Sequence, residues 1–110
     1  MIKHIGIVTT ETLPCSNRPC AGGGVRIWGI GEALKRAGIQ CRYFQPEAVA
    51  ESDRDDVIPF RPEWLHEKIE QSPCDTVLFE QWQPLTFLKK KLEIPIIVDL
   101  PGPLLLEYYW

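Results

Sequence analysis

Short apolar runs rich in β-branched residues, each separated from the next by a helix-sized stretch, narrow the fold of this chain more than any other feature. Residues 3–8 read K-H-I-G-I-V and stop at Thr9-Thr10, and residues 40–44, 76–79 and 96–99 form three further runs. Apolar residues at successive positions over so short a span suit strands covered on both faces. Between the first two runs, Ile27, Ile30, Leu34 and Ala37 recur at three- and four-residue steps, with Glu32, Lys35 and Arg36 on the other side. This is an amphipathic helix over residues 25–37, with Gly38 as its left-handed terminator and two cations in the last turn. Pro62 opens a second helix with Trp64, Leu65 and Ile69 as its buried stripe, which Ser72-Pro73 stops. Residues 85–92 read as a third helix carrying Lys89-Lys90-Lys91, and residues 104–110 as a fourth. Residues 45–62, acidic and bounded by prolines, read as a surface connection. Strands alternating with helices imply right-handed crossovers, and so an α/β, Rossmann-like parallel sheet flanked by helices.

The 110 residues leave room for a single domain of this kind over residues 1–110. A net charge of −3 provides no basic field to hold a polyanion, which argues against nucleic acid as a partner. The most apolar stretch, residues 94–106, contains Asp99 and three prolines and is too interrupted to span a bilayer. The run after Lys3-His4 is too short for a secretory signal, so a cytoplasmic protein is expected. Cys15, Cys20, Cys41 and Cys74 form no C-x-x-C pair, and neither His4 nor His66 sits at a ligand-like spacing from them. Inert thiols are expected, with no metal and no disulfide framework. Lys89-Lys90-Lys91 reads as a solvated face, able at most to make weak peripheral contact with anionic lipid.

Parallel sheets bind ligands beyond the carboxyl ends of their strands, and three polar loops leave from there: residues 9–24, 80–84 and 99–103. Gly22, Gly23 and Gly24 bring amide groups and a helix dipole to a place where a phosphate can sit, although a glycine run serves equally as a hinge. The dinucleotide fingerprint fails, because Ile27 stands where its third glycine belongs and Phe44-Gln45 end the second strand without an acid. The P-loop fails as well, because Ile30 follows Gly29 where lysine is required. Glu80 and Asp99 close neighbouring strands, as a carboxylate pair or as two solvated strand ends. Gln81 and Trp82 add an amide and a flat apolar face, the mixture that a pocket for a hydroxyl-rich ligand needs, or else a packed aromatic. Gly29 and Gly31 inside the first helix call for compensation, most simply from close helix–sheet contact.

In order, I-G-I-V at residues 5–8, A-G-G-G-V at 21–25, E-A-L-K-R-A-G at 32–38 and P-I-I-V-D-L-P-G at 95–102 resemble the N-terminal lobe of group 1 (family 4) glycosyltransferases. The likeness covers nearly the whole chain and departs at Ile39 and Pro101, where members often carry histidine. It implies an incomplete N-terminal lobe of a GT-B fold, in which a second, absent lobe holds most of the nucleotide. It implies transfer of a sugar from a nucleotide-sugar donor to a hydroxyl acceptor without a resident cofactor, and a chain inactive by itself. Gly22, Gly23 and Gly24 would then lie near the donor diphosphate and the acceptor. Asp99 and Gly102 would border the transfer site, beside Glu80, Gln81 and Trp82. The alternative from another class is a non-catalytic Rossmann-like binding or interaction module completed by another chain.

Overall fold

The computed structural model describes residues 2–15, 18–50 and 54–99. Among these residues five parallel strands form one sheet: β1 (His4–Val8), β2 (Gln40–Pro46), β3 (Val57–Phe60), β4 (Thr76–Glu80) and β5 (Ile96–Asp99). Their spatial order is β3-β2-β1-β4-β5. From β1 the chain first builds outward to β2 and β3, then returns to the other side of β1 for β4 and β5. The direction of winding therefore reverses between β1 and β4. This is a Rossmann-like α/β arrangement in general kind.

Period-two alternation divides the apolar side chains between the two faces. Ile5, Ile7, Cys41, Tyr43 and Val57 form one core with Ile27 of helix α1 (Gly22–Arg36). Val8, Phe44, Phe60, Val77 and Phe79 form the other with Leu65 and Ile69 of helix α2 (Leu65–Glu70). Leu85, Phe87, Leu88 and Leu92, from the segment between β4 and β5, pack against that second core. Helix α1 starts at Gly22, inside the glycine triplet and three residues earlier than the periodicity predicts. It ends as expected, with Gly38 at a φ of 91° and the Ile39 amide bonded back to the Leu34 carbonyl.

Three expectations are corrected. The connection over residues 45–62 contains β3, registered on β2 with Tyr43 opposite Val57 and Gln45 opposite Pro59. Proline is tolerated because β3 is an outer strand. The second helix is shorter than predicted: residues Pro62–Trp64 form a 3-10 turn before α2, and Trp64 is exposed while His66 is buried beside Leu65 and Ile69. Residues 85–92 are not a helix. A 3-10 turn over Gln83–Phe87 ends at Leu88 in extended backbone. The chain then meets α2 at Lys89, whose amide donates to His66 Nδ1 at 3.3 Å, whose ammonium pairs with Glu67 and which lies over the Trp64 ring. The last expected helix, residues 104–110, lies outside the described residues.

Candidate functional site

Strand register assembles one polar row at the carboxyl edge of the sheet. Glu80 is opposite Asp99, and Val8, opposite both Phe44 and Phe79, is followed by Thr9, which continues the row between Gln45 and Glu80. The row therefore reads Gln45, Thr9, Glu80, Asp99 across β2, β1, β4 and β5. Counting in twos from Ile7, Tyr43 and Leu78 puts all four on the face that α1 covers. The row crosses the β1–β4 switch point, where open α/β sheets hold their ligands.

A directed chain of hydrogen bonds runs into its centre. The Glu11 amide donates to Thr9 Oγ1 at 3.0 Å, which leaves the single Thr9 hydroxyl proton to donate to Glu80 Oε1 at 3.1 Å. Gln45 Nε2 donates to the Glu11 carbonyl at 2.9 Å and fixes the loop above. Glu80 is 2% exposed, and its Oε2 has no hydrogen-bond partner among the described residues. Burial pushes the Glu80 carboxyl above the usual glutamate range; the Thr9 hydroxyl opposes this, and the Glu11 and Asp99 charges add to it. The Gln81 amide also favours the ionised form, but without a well-aligned bond to Oε2. Buried carboxylate oxygens are normally satisfied, and the exceptions concentrate where a ligand completes the set.

Gln81, next along, has a φ of 72°, the only positive φ at a non-glycine position among the described residues. Its amide still donates to the Asp99 carbonyl at 2.9 Å, so the turn is locked to β5. Strained backbone of this kind collects at binding sites because surrounding structure must hold it in place. Trp82 follows, 46% exposed, beside this edge. Asp99 pairs with Arg26 of α1, joining the second turn of that helix to the end of β5.

The glycine triplet lies in the first turn of α1. A Cβ at Gly24 would overlap the Thr12 carbonyl, so the loop after β1 folds back onto the helix only because this residue is glycine. A Cβ at Gly23 would come within 3.3 Å of Glu11 Oε1, whereas Gly22 faces open space. The Glu11 carboxylate thus already lies against the helix N-terminus, where amide dipoles favour negative charge. Gly102 lies outside the described residues.

Structure therefore brings Glu80, Gln81 and Asp99 together, with Trp82 at the margin and the glycines across the loop. Sequence reasoning missed Thr9, Glu11, Arg26 and Gln45. Thr9 and Gln45 were within reach as the first polar residues after two adjacent buried strands. Arg26 carried no such signal, since its partner is 73 positions away.

Hollows among the described residues lie elsewhere. One of about 450 Å³ is at the opposite edge of the sheet, among Lys35, Gln40, Cys41, Arg42 and Asp56. Within it, Lys35 pairs with Asp56 and Glu32, and hydrogen bonds from Arg54 lower the Asp56 carboxyl to about 2. Another, about 150 Å³, lies among Ile69, Cys74, Leu92 and Ile94. Neither holds a buried polar atom that lacks a partner among the described residues; besides Glu80 Oε2, such atoms are His66 Nε2 and Glu67 Oε2 of α2, away from the carboxyl-edge row. The four thiols are free, and burial pushes Cys41 and Cys74 above the usual thiol range, away from reactivity. Among the described residues no cluster of three or more potential ligands gathers to hold a metal, and no helix is long and apolar enough to cross a membrane.

No protein-family model, no curated protein and no solved structure matches this chain.

Proposed function

We propose that the row Gln45–Thr9–Glu80–Asp99 binds the hydroxyl face of a sugar, and that the chain is the N-terminal part of a glycosyltransferase of the GT-B kind. The observation that carries this reading is the Glu80 carboxylate, buried, oriented by Thr9 and left with an unpartnered Oε2 at the switch point. A hydroxyl donating to Oε2 satisfies it, and Trp82 offers an apolar surface for the sugar ring. The reaction is transfer of a sugar from a nucleotide-sugar donor to a hydroxyl acceptor, with the nucleotide as part of the substrate and no resident cofactor. The first-turn amides of α1 at Gly22, Gly23 and Gly24 stabilise charge on the departing diphosphate, which takes the position that the Glu11 carboxylate holds here. A second lobe or partner chain supplies the remaining donor contacts.

The test is a nucleotide-sugar binding and glycosyl-transfer screen on the chain alone and extended by whatever coding sequence follows Trp110. Transfer by the extended protein, reduced at least tenfold by Gly23→Leu or Glu80→Gln, supports the proposal. Folded samples of both forms that neither bind nor transfer any sugar overturn it. A second reading, a non-catalytic module completed by another chain, is favoured by one observation: Ile96, Ile97 and Val98 of outer strand β5 are all exposed.

A further inference from the structure

Three carboxylates meet at the switch point, and they are not equally compensated. Asp99 has the Arg26 guanidinium. Glu11 lies against the amide-rich first turn of α1. Glu80, the most deeply buried, has one aligned bond from a neutral hydroxyl and a second oxygen with nothing bonded to it among the described residues. An ionised carboxylate in such a place lacks either a proton or a positive charge. Thr9 cannot supply more, because its hydroxyl has one proton, already given to Oε1, and its oxygen accepts the Glu11 amide. Arg26 is held by Asp99 on the neighbouring strand.

We infer that the sugar bound at this row carries an amino group, with its ammonium on Glu80 Oε2 and its hydroxyls on the flanking row. This rests on the reading of the row as a sugar site and narrows it to amino sugars. A charge-assisted bond from an ammonium is stronger than a bond from a hydroxyl at the same carbon, because it neutralises the carboxylate as well as satisfying the oxygen. Acceptance of the ligand requires the Gln81 turn and the Arg26–Asp99 pair to give, because Oε2 is sealed from solvent without it. Gln81 is suited to this, being held in left-handed backbone by its bond to the Asp99 carbonyl.

Glucose, glucosamine and N-acetylglucosamine differ only at one carbon and serve as probes. Their binding to the full chain is followed by amide chemical-shift titration at Thr9, Glu80 and Gln81, below the titration of the free amine. The expected result is glucosamine about fivefold tighter than glucose, with N-acetylglucosamine losing that advantage. Glu80→Gln, close to isosteric and able to keep the Thr9 bond, should abolish the preference for the amine, whereas Glu93→Gln, a remote change of equal charge, should leave it intact. If Glu80→Gln does not fold, the wild-type comparison of the three sugars still decides. Equal binding of glucose and glucosamine overturns the amine proposal and leaves the sugar site standing. A preference that survives Glu80→Gln also overturns it. Absence of shifts at the row with every sugar overturns the underlying reading as well.

Discussion

At the scale of single residues, Glu80 and Gln81 both lie against local physical preference, and in a folded chain such positions are held by their surroundings. The Glu80 carboxyl, raised above the 4.5 ordinary for glutamate, binds its proton more tightly folded than unfolded. Its favourable contribution is therefore complete below the ordinary value and lost as pH rises through the raised one. Glu80→Gln should accordingly stabilise the chain near neutral pH, and the gain should shrink as the pH falls toward 4.5, which urea denaturation at the two pH values measures. Gln81→Gly removes the left-handed penalty at a φ of 72°. The variant should be equal to or up to about 1 kcal/mol more stable than the parent while binding sugar more weakly. A loss of stability in thermal melts would show that the Gln81 side chain has a structural role larger than the strain.

Among the elements, α1 separates two glycines that look alike in sequence. A Cβ at Gly31 would overlap the Tyr43 hydroxyl, which sits in the groove below the helix and donates to Glu32 Oε2 at 3.1 Å. Gly29 faces open space, so close helix–sheet contact accounts for Gly31 and not for Gly29. Gly31→Ala should destabilise by about 1–3 kcal/mol through displacement of Tyr43. Gly29→Ala should stabilise by roughly 0.5–1 kcal/mol through helix propensity. Denaturant midpoints of the two variants, moving in opposite directions, check both. The segment after β4 illustrates a different rule. Leu85, Leu88 and Leu92 have helical spacing, yet the chain leaves the 3-10 turn at Leu88 so that Lys89 can reach His66, Glu67 and Trp64 on α2. Tertiary bonds there outweigh a local pattern.

For the whole molecule, the sheet is protected unequally at its two edges. Strand β3 ends the sheet with Pro59, which lacks an amide proton to offer a further strand. Strand β5 has no such device among the described residues: Ile97 is 47% exposed on the α1 face, and Ile96 and Val98 are exposed on the other. Edge strands of this composition pair with other chains. Sedimentation of the chain should therefore be concentration-dependent, and Ile97→Lys should shift it toward monomer without lowering the melting temperature. Unchanged sedimentation in the variant would mean that β5 is not the contact.

The alternation of β-branched runs with an amphipathic helix ending at Gly38 was legible from residues alone, because burial on two faces and the 3.6-residue period each leave a local signature. Glu80, Gln81 and Asp99 were legible as polar residues ending apolar strands. Strand β3 was not, because Val57, Ile58 and Phe60 surround a proline that only an edge position tolerates, and which strand lies at an edge is a property of the assembled sheet. The same holds for the centre of the site. That Thr9 stands between Gln45 and Glu80, that Arg26 pairs with Asp99 and that Oε2 of Glu80 is left over all follow from register and strand order. Periodicity is written over a few consecutive residues, whereas these contacts join positions more than thirty or seventy apart, and only the packed sheet brings them within bonding distance.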